Sequence, residues 1–343
     1  MKYILTILIV VISNFGSGQT MDPDLKSILD TVILRTKESS YYSQTVNWDS
    51  LETKIYQSAE GADELDDLKP AFTDLINGIR DHHGRIMKTS DYSLLASFTD
   101  HKNSRSTDDR KYDSETWTLV NNLESRFEYS VLSDSIGYLK VVAVGSNVDG
   151  QTEAERIRAA IRELHELNVN HWIIDLRYNA GGNVNVMLSG LAPLLNSGVV
   201  ASIQMSDKQI QGTAEIKNGN FWYFGINAFE LTDQLRINNP KIAVLTSRWT
   251  ASSGELVAVA FKEQDRTLFL GESTGGYTTN TGWNVINNEI ALIIGTGVFC
   301  DRKGNSYDQN VPSDVEIVFE VETDKFKDKG IDEAVKWLLT QDL

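Results

Sequence analysis

Apolar positions in the first third of this chain follow a helical period. Leu25, Ile28, Leu29, Val32 and Ile33 recur at intervals of three and four, and Ala62 to Arg80 repeats the pattern through Leu65, Leu68, Phe72, Leu75, Ile76 and Ile79. Pro70 lies inside that second run and is expected to bend or divide it, because proline lacks the N–H an inner turn needs. A further short helix fits Val46 to Tyr56. Residues 19–98 therefore read as a small helical N-terminal domain. Residues 99–116 are mostly polar, opening Thr99-Asp-His-Lys-Asn-Ser-Arg, and read as an exposed loop or lid.

From residue 117 to residue 343 the apolar runs shorten and alternate with helical stretches. Strands are expected at Ile136–Val144, His171–Leu176, Val199–Met205, Ile242–Thr246, Thr267–Gly271, Ile290–Gly295 and Val315–Phe319. Helices are expected at Thr152–Leu167, opened by a Thr152/Glu155 capping box, and at Val184–Leu195, Ser253–Gln264 and Ile331–Leu339. Strand and helix in alternation predict one layered α/β domain.

The N-terminus adds a targeting expectation. Lys2 precedes an apolar run from Tyr3 to Ile12 that is too short to span a bilayer, and Gly16 and Gly18 suit a cleavage site. Residues 1–18 read as a signal peptide, giving a secreted or periplasmic protein with no membrane insertion after cleavage. Cys300 is the only cysteine, so no intrachain disulfide supports the fold, and its setting suggests a buried thiol rather than a nucleophile. The net charge of −16 argues against nucleic acid as a partner, because phosphate binding needs clustered Lys and Arg.

Two segments carry candidate chemistry. Ile173-Ile-Asp-Leu-Arg-Tyr-Asn-Ala-Gly181-Gly182 runs from a strand into a glycine turn, which exposes main-chain N–H groups to a developing negative charge. Val244-Leu-Thr-Ser-Arg-Trp-Thr-Ala-Ser252-Ser253-Gly-Glu255 leads from a strand into an apolar helix. A serine at that helix start is ordinarily an N-cap, yet the helix dipole there also favours an alkoxide.

The two segments in this order resemble the C-terminal processing peptidases, or tail-specific proteases. The matching residues are Asp175 to Gly182, Thr250 to Glu255, and Gly271-Glu-Ser-Thr-Gly-Gly276, with supporting likeness at Ile136-Gly-Tyr-Leu-Lys140 and Gly304 to Asp314. The resemblance spans roughly residues 45–340 and implies a crotonase/ClpP-like layered α/β core. It also implies serine-type hydrolysis of peptide or protein substrates, with Ser252 as nucleophile and no metal or organic cofactor. Many members use a lysine base after the third motif, but Tyr277 stands there in this chain. The histidine-using branch, which resembles the tricorn core protease, supplies an alternative through Asp81-His-His83-Gly. His83 is then the expected base, with Asp308 orienting it and Glu255 or Asp81 as other candidates for that acid. Ser253 and Gly181 or Gly182 would donate main-chain N–H groups to the oxyanion. An ordinary imidazole predicts a rate that falls on acidification across roughly pH 8 to 5.

His101, His165 and His171 read as packing or surface residues, and His82 beside His83 lacks the ligand spacing of a metal site. His83 to Ile136 spans only 53 residues and lacks a Gly-Leu-x-x-Gly-Asp signature, so no PDZ domain is expected. Two other readings share the core fold: an inactive protein binding a peptide or apolar ligand, and an acyl-CoA enzyme.

Overall fold

A computed structural model of the chain describes residues 21–99, 118, 127–133, 135–145, 147–320 and 328–340. The expected signal peptide, and all of the expected lid except Thr99, lie outside the described residues.

Three helices open the described chain. Helix α1 (Pro23–Ser39) starts at Asp22, whose carboxylate accepts the N–H groups of Asp24 and Leu25. It buries the expected stripe of Leu25, Ile28, Leu29, Val32 and Ile33. Helix α2 spans Trp48–Ser58, and α3 spans Lys69–Ile79 after a 3₁₀ turn over Leu65–Leu68. Pro70 divides the run as expected, because in the first turn of α3 its missing N–H has no intrahelical partner to lose. Arg80 ends α3 in the left-handed conformation, with φ of 55°, and turns the chain into Asp81-His82-His83.

The strands form two sheets. The first is antiparallel and contains β1 (Arg85–Lys88), β2 (Leu94–Ser97), β6 (Gly198–Gln204), β7 (Ile210–Lys217), β8 (Asn220–Tyr223), β11 (Thr279–Ile286) and β12 (Ile290–Asp301). Strand β12 is its hub, pairing with β1, β6 and β11. The second sheet contains β3 (Glu128–Ser133), β4 (Ile136–Lys140), β5 (His171–Asp175), β9 (Lys241–Thr246), β10 (Thr267–Gly271) and β13 (Val315–Glu316). Its order is β13-β10-β9-β5-β4-β3, parallel except for the β3–β4 pair. Helices α4 (Gly150–Glu166), α5 (Val184–Leu191), α6 (Ser253–Phe261) and α7 (Lys329–Leu338) complete the layers.

The mixed α/β architecture is the one the alternating pattern predicts, with local differences. Helix α4 is capped by Asp149, which accepts Gln151 N–H, and the Thr152 hydroxyl donates to that same carboxylate at 2.8 Å. The expected Thr152 cap therefore lies inside the helix. Residues 19–98 also contribute β1 and β2, which the sequence pattern did not show. Their helices share a core with the first sheet: Leu29, Phe72, Leu75 and Ile76 pack with Ile286, Ile290, Leu292 and Ile294.

A second core joins the sheets through α4, α5 and α6, around Trp172, Ile174, Met187, Leu188 and Phe261. Helix α7 covers the other face of the parallel sheet, where Ile331, Ala334 and Leu338 meet Tyr138, Ile173 and Leu245. The turn after α3 is thus anchored against β12, while the loops after β5 and β9 emerge side by side from the parallel sheet.

Candidate active site

Strands β5 and β9 are parallel neighbours, so their C-terminal ends deliver the glycine turn and the Ser252 loop to one place. The Ala251 N–H donates to the Asn179 carbonyl at 2.9 Å. Two hydroxyls pin the loops further: Ser247 Oγ donates to the Arg177 carbonyl at 2.6 Å, and Thr250 Oγ1 donates to the Leu176 carbonyl at 2.8 Å. Gly254 is required here, because a Cβ at that position would lie 2.4 Å from the Asn179 carbonyl oxygen.

Ser252 occupies the N-cap position of α6 with φ of 55° and ψ of −122°, a backbone conformation that L-residues rarely adopt. Glu255, on the first turn of α6, stabilises this conformation. Its Oε2 accepts Ser252 N–H at 2.9 Å, and its Oε1 accepts Thr274 Oγ1 at 2.5 Å and Gly276 N–H at 2.8 Å. Burial pushes this carboxyl up to about 7, against the pull of those hydrogen bonds. Either protonation state leaves an acceptor oxygen for Ser252 N–H. Both Glu255 oxygens are engaged by Ser252, Thr274 and Gly276, and neither bonds His83.

The glycine turn lies against the serine. A Cβ on Gly181 would fall 2.9 Å from Ser252 Cβ and 3.3 Å from Ser253 N. The Gly181 N–H donates to Asn179 Oδ1 at 3.0 Å. Among the described residues, no acceptor meets the N–H of Gly182 or Ser253. Of the two expected glycine donors, Gly182 is the one left with its N–H available.

His83 arrives from the turn after α3. Its Nε2 lies 3.1 Å from Ser252 Oγ, joining residues 169 positions apart. Asp81 fixes the turn from beneath: its Oδ1 accepts His83 N–H at 3.0 Å, and its Oδ2 accepts Gly295 N–H of β12 at 2.7 Å. Asp81 thus anchors the main chain of His83 rather than its ring. Tyr277, at the position where lysine was expected, packs edge-on to the imidazole with ring centres 5.6 Å apart.

The structure does not bring Asp308 to His83. Asp308 is exposed in the loop after β12, and the His83 Nδ1 lies instead 3.1 Å from the Thr279 carbonyl oxygen and 3.2 Å from Thr279 Oγ1. Thr279 was not singled out in the sequence. The signal available was its place two residues after Tyr277, at the start of a strand that the apolar pattern did not show. Burial lowers the His83 pKa from 6.5 to about 4, with the Arg85 charge acting in the same direction and the Thr279 contact opposing.

The Asp-Leu-Arg segment is structural. Arg177 Nε and Nη2 donate to the two oxygens of Asp175 at 2.9 and 2.7 Å, and Nη1 donates to Asp328 Oδ1 at 2.9 Å. Asp328 caps α7 by accepting Gly330 and Ile331 N–H, and Tyr138 OH completes the shell of Asp175 at 2.8 Å. Burial alone would raise the Asp175 pKa, but Arg177 outweighs it and holds the carboxyl below its usual range. This buried cluster fixes the end of β5 from which the glycine turn departs.

The model of peptidase family S41 matches residues 135–317, more than half of the chain. The chain belongs to peptidase family S41. Family S41 is a family of serine peptidases. Among relatives, the nisin-resistance protein of Lactococcus lactis subsp. lactis is 32% identical over 178 residues, covering 52% of this chain and 52% of that protein. The chloroplastic carboxyl-terminal-processing peptidase 2 of Arabidopsis thaliana is 32% identical over 144 residues, which is 42% of this chain but 24% of that one. The matched segments therefore span about half of the first relative and about a quarter of the second.

Likeness of fold to solved structures extends further along the chain. A lipoprotein from Streptococcus agalactiae superposes with a TM-score of 0.65 at 19% identity, covering 93% of this chain and 97% of that one. The photosystem II D1 C-terminal processing protease gives 0.59 at 14% identity, covering 91% and 97%. These likenesses establish the fold of the S41 chain beyond the matched segment.

Proposed function

We propose that this S41 peptidase hydrolyses peptides through a Ser252–His83 acyl-enzyme mechanism. The observation that carries the reading is the 3.1 Å approach of His83 Nε2 to Ser252 Oγ, made by a serine in a rare backbone conformation at a helix start. Ser252 Oγ attacks the scissile carbonyl carbon as Nε2 takes its proton. The N–H groups of Gly182 and Ser253 receive the resulting oxyanion, each donor contributing about 3 kcal/mol in comparable sites. The C–N bond then breaks as the imidazolium returns its proton to the leaving amine. Water attacks the ester with His83 again as base, releasing the acid and regenerating Ser252.

A fluorophosphonate probe tests the nucleophile directly. Mass spectrometry is expected to find the adduct on Ser252 in the wild type and none in Ser252→Ala. An adduct on another serine, or hydrolysis persisting in Ser252→Ala, rejects the assignment.

The lowered His83 pKa moves the acid limb of the rate profile. His83 is neutral above about pH 4, so kcat/KM is expected to rise through that value and stay level from roughly pH 5.5 to 8. The sequence-based expectation of a fall between pH 8 and 5 assumed an exposed imidazole. A limb centred near 6.5 would show that His83 keeps its solvent-exposed basicity.

The substrate class is polypeptide. One relative is named a carboxyl-terminal-processing peptidase, which supports cleavage of a polypeptide chain. The site of action we infer is outside the cytoplasm, secreted or periplasmic, as the Lys2–Gly18 segment and the lipoprotein neighbour suggest. No helix among the described residues is long and apolar enough to cross a membrane.

A further inference from the structure

The mechanism requires His83 to present an unprotonated Nε2 to Ser252, so its single ring proton must be held on Nδ1. We propose that the main-chain carbonyl of Thr279, seated by a close fit against Gly295, positions the base in the place a carboxylate takes in a triad. This inference rests on the Ser252–His83 reading.

A carbonyl oxygen only accepts, so its 3.1 Å contact selects the tautomer with hydrogen on Nδ1. The nearby Thr279 hydroxyl, at 3.2 Å, can donate or accept and makes no such selection. Thr279 is itself held from two sides. It opens β11 opposite Val298 of β12, and the register shifts at a bulge between Asn280 and Thr281. Bulges of this kind re-aim groups beside active sites. On the other side, Gly295 of β12 leaves space for the threonine: a Cβ there would lie 2.9 Å from Thr279 Oγ1 and 3.0 Å from Thr279 Cβ.

The same glycine donates its N–H to Asp81, whose other oxygen accepts the His83 N–H. Strands β11 and β12 therefore fix both the ring and the main chain of the base, and no carboxylate bonds the ring among the described residues. A neutral acceptor stabilises an imidazolium less than a carboxylate does, in keeping with the lowered pKa.

Nitrogen-15 NMR of the histidine-labelled protein at pH 7 tests this. His83 is expected to show a protonated Nδ1 and an unprotonated Nε2. Gly295→Ala should disturb that signature and lower kcat about 100-fold with little change in KM, as displacement of a positioned group by about an ångström does. Asp308→Asn should change neither. Thr279→Val keeps the carbonyl and should keep the Nδ1–H signature, which decides the matter even if Gly295→Ala fails to fold.

A proton on Nε2 in the wild type, or loss of the signature in Thr279→Val or Asp308→Asn, overturns the assignment to the carbonyl. The Ser252–His83 reading would survive that result if His83→Ala is inactive and Ser252 still labels. It would fall by itself if His83→Ala stays active.

Discussion

Ser252→Ala and His83→Ala should each lower kcat/KM by roughly 10⁴- to 10⁶-fold, and the double variant should be no slower than either single one. The reason is that, in the proposed dyad, nucleophile and base act as one unit. Without the imidazole, Ser252 Oγ keeps its proton. Without the hydroxyl, the base has no catalytic serine proton to take. Residual activity then comes from oxyanion donors and substrate binding, which neither change removes. Tyr277→Phe is the informative control, since it occupies the position from which a lysine would act and here its ring packs edge-on to His83. It should stay within a few-fold of wild type, as expected for loss of a hydroxyl outside the proton path. Progress curves with a quenched fluorogenic peptide suffice to measure all four variants against the wild type. Near-normal hydrolysis by His83→Ala, or additive losses in the double variant, would contradict the dyad.

Arg177→Ala should destabilise the fold by about 3–5 kcal/mol, because it leaves Asp175 buried without its counter-charge. Arg177 is nearly enclosed and bridges Asp175 to Asp328, with its guanidinium centre 5.1 Å from the centre of the Phe319 ring. Its own pKa is raised well above the ordinary value because, although burial opposes the charge, the two aspartates more than compensate. In a chain of this size such a loss corresponds to a fall in Tm of roughly 4–7 °C, measurable by calorimetry. Adding Asp175→Asn to Arg177→Ala should recover part of it by removing the stranded charge. A loss under about 1 kcal/mol would place the cluster with ordinary surface pairs.

Much of the parallel sheet was legible because β5, β9 and β10 are short apolar runs bounded by turn residues. The Gly181-Gly182 turn and the serine at the start of α6 stood out for the same reason. The first sheet was harder to read. Strands β1 and β2 have four residues each, and β7 and β11 mix polar and apolar positions too irregularly to show a clean period.

That gap carried over to the site, since Thr279 begins β11. A carboxylate such as Asp308 can be suspected from its place in a motif. Its exposure depends on how the loop folds. Main-chain acceptors leave no mark on residue identity, and so the carbonyl beside His83 had no sequence signature. The low basicity of His83 likewise depends on packing among segments far apart in the chain.

Because Ser252 and His83 stand 169 positions apart and meet only where the N-terminal helices lie on β11 and β12, assembly itself governs their encounter. During synthesis the histidine emerges long before the serine, and neither has its partner until the two cores close together. Under the proposed dyad, a newly made chain therefore passes through its most cleavable, unfolded stage before its cutter is assembled. On the proposed reading, hydrolytic power is acquired in the same event that hides the main chain from attack.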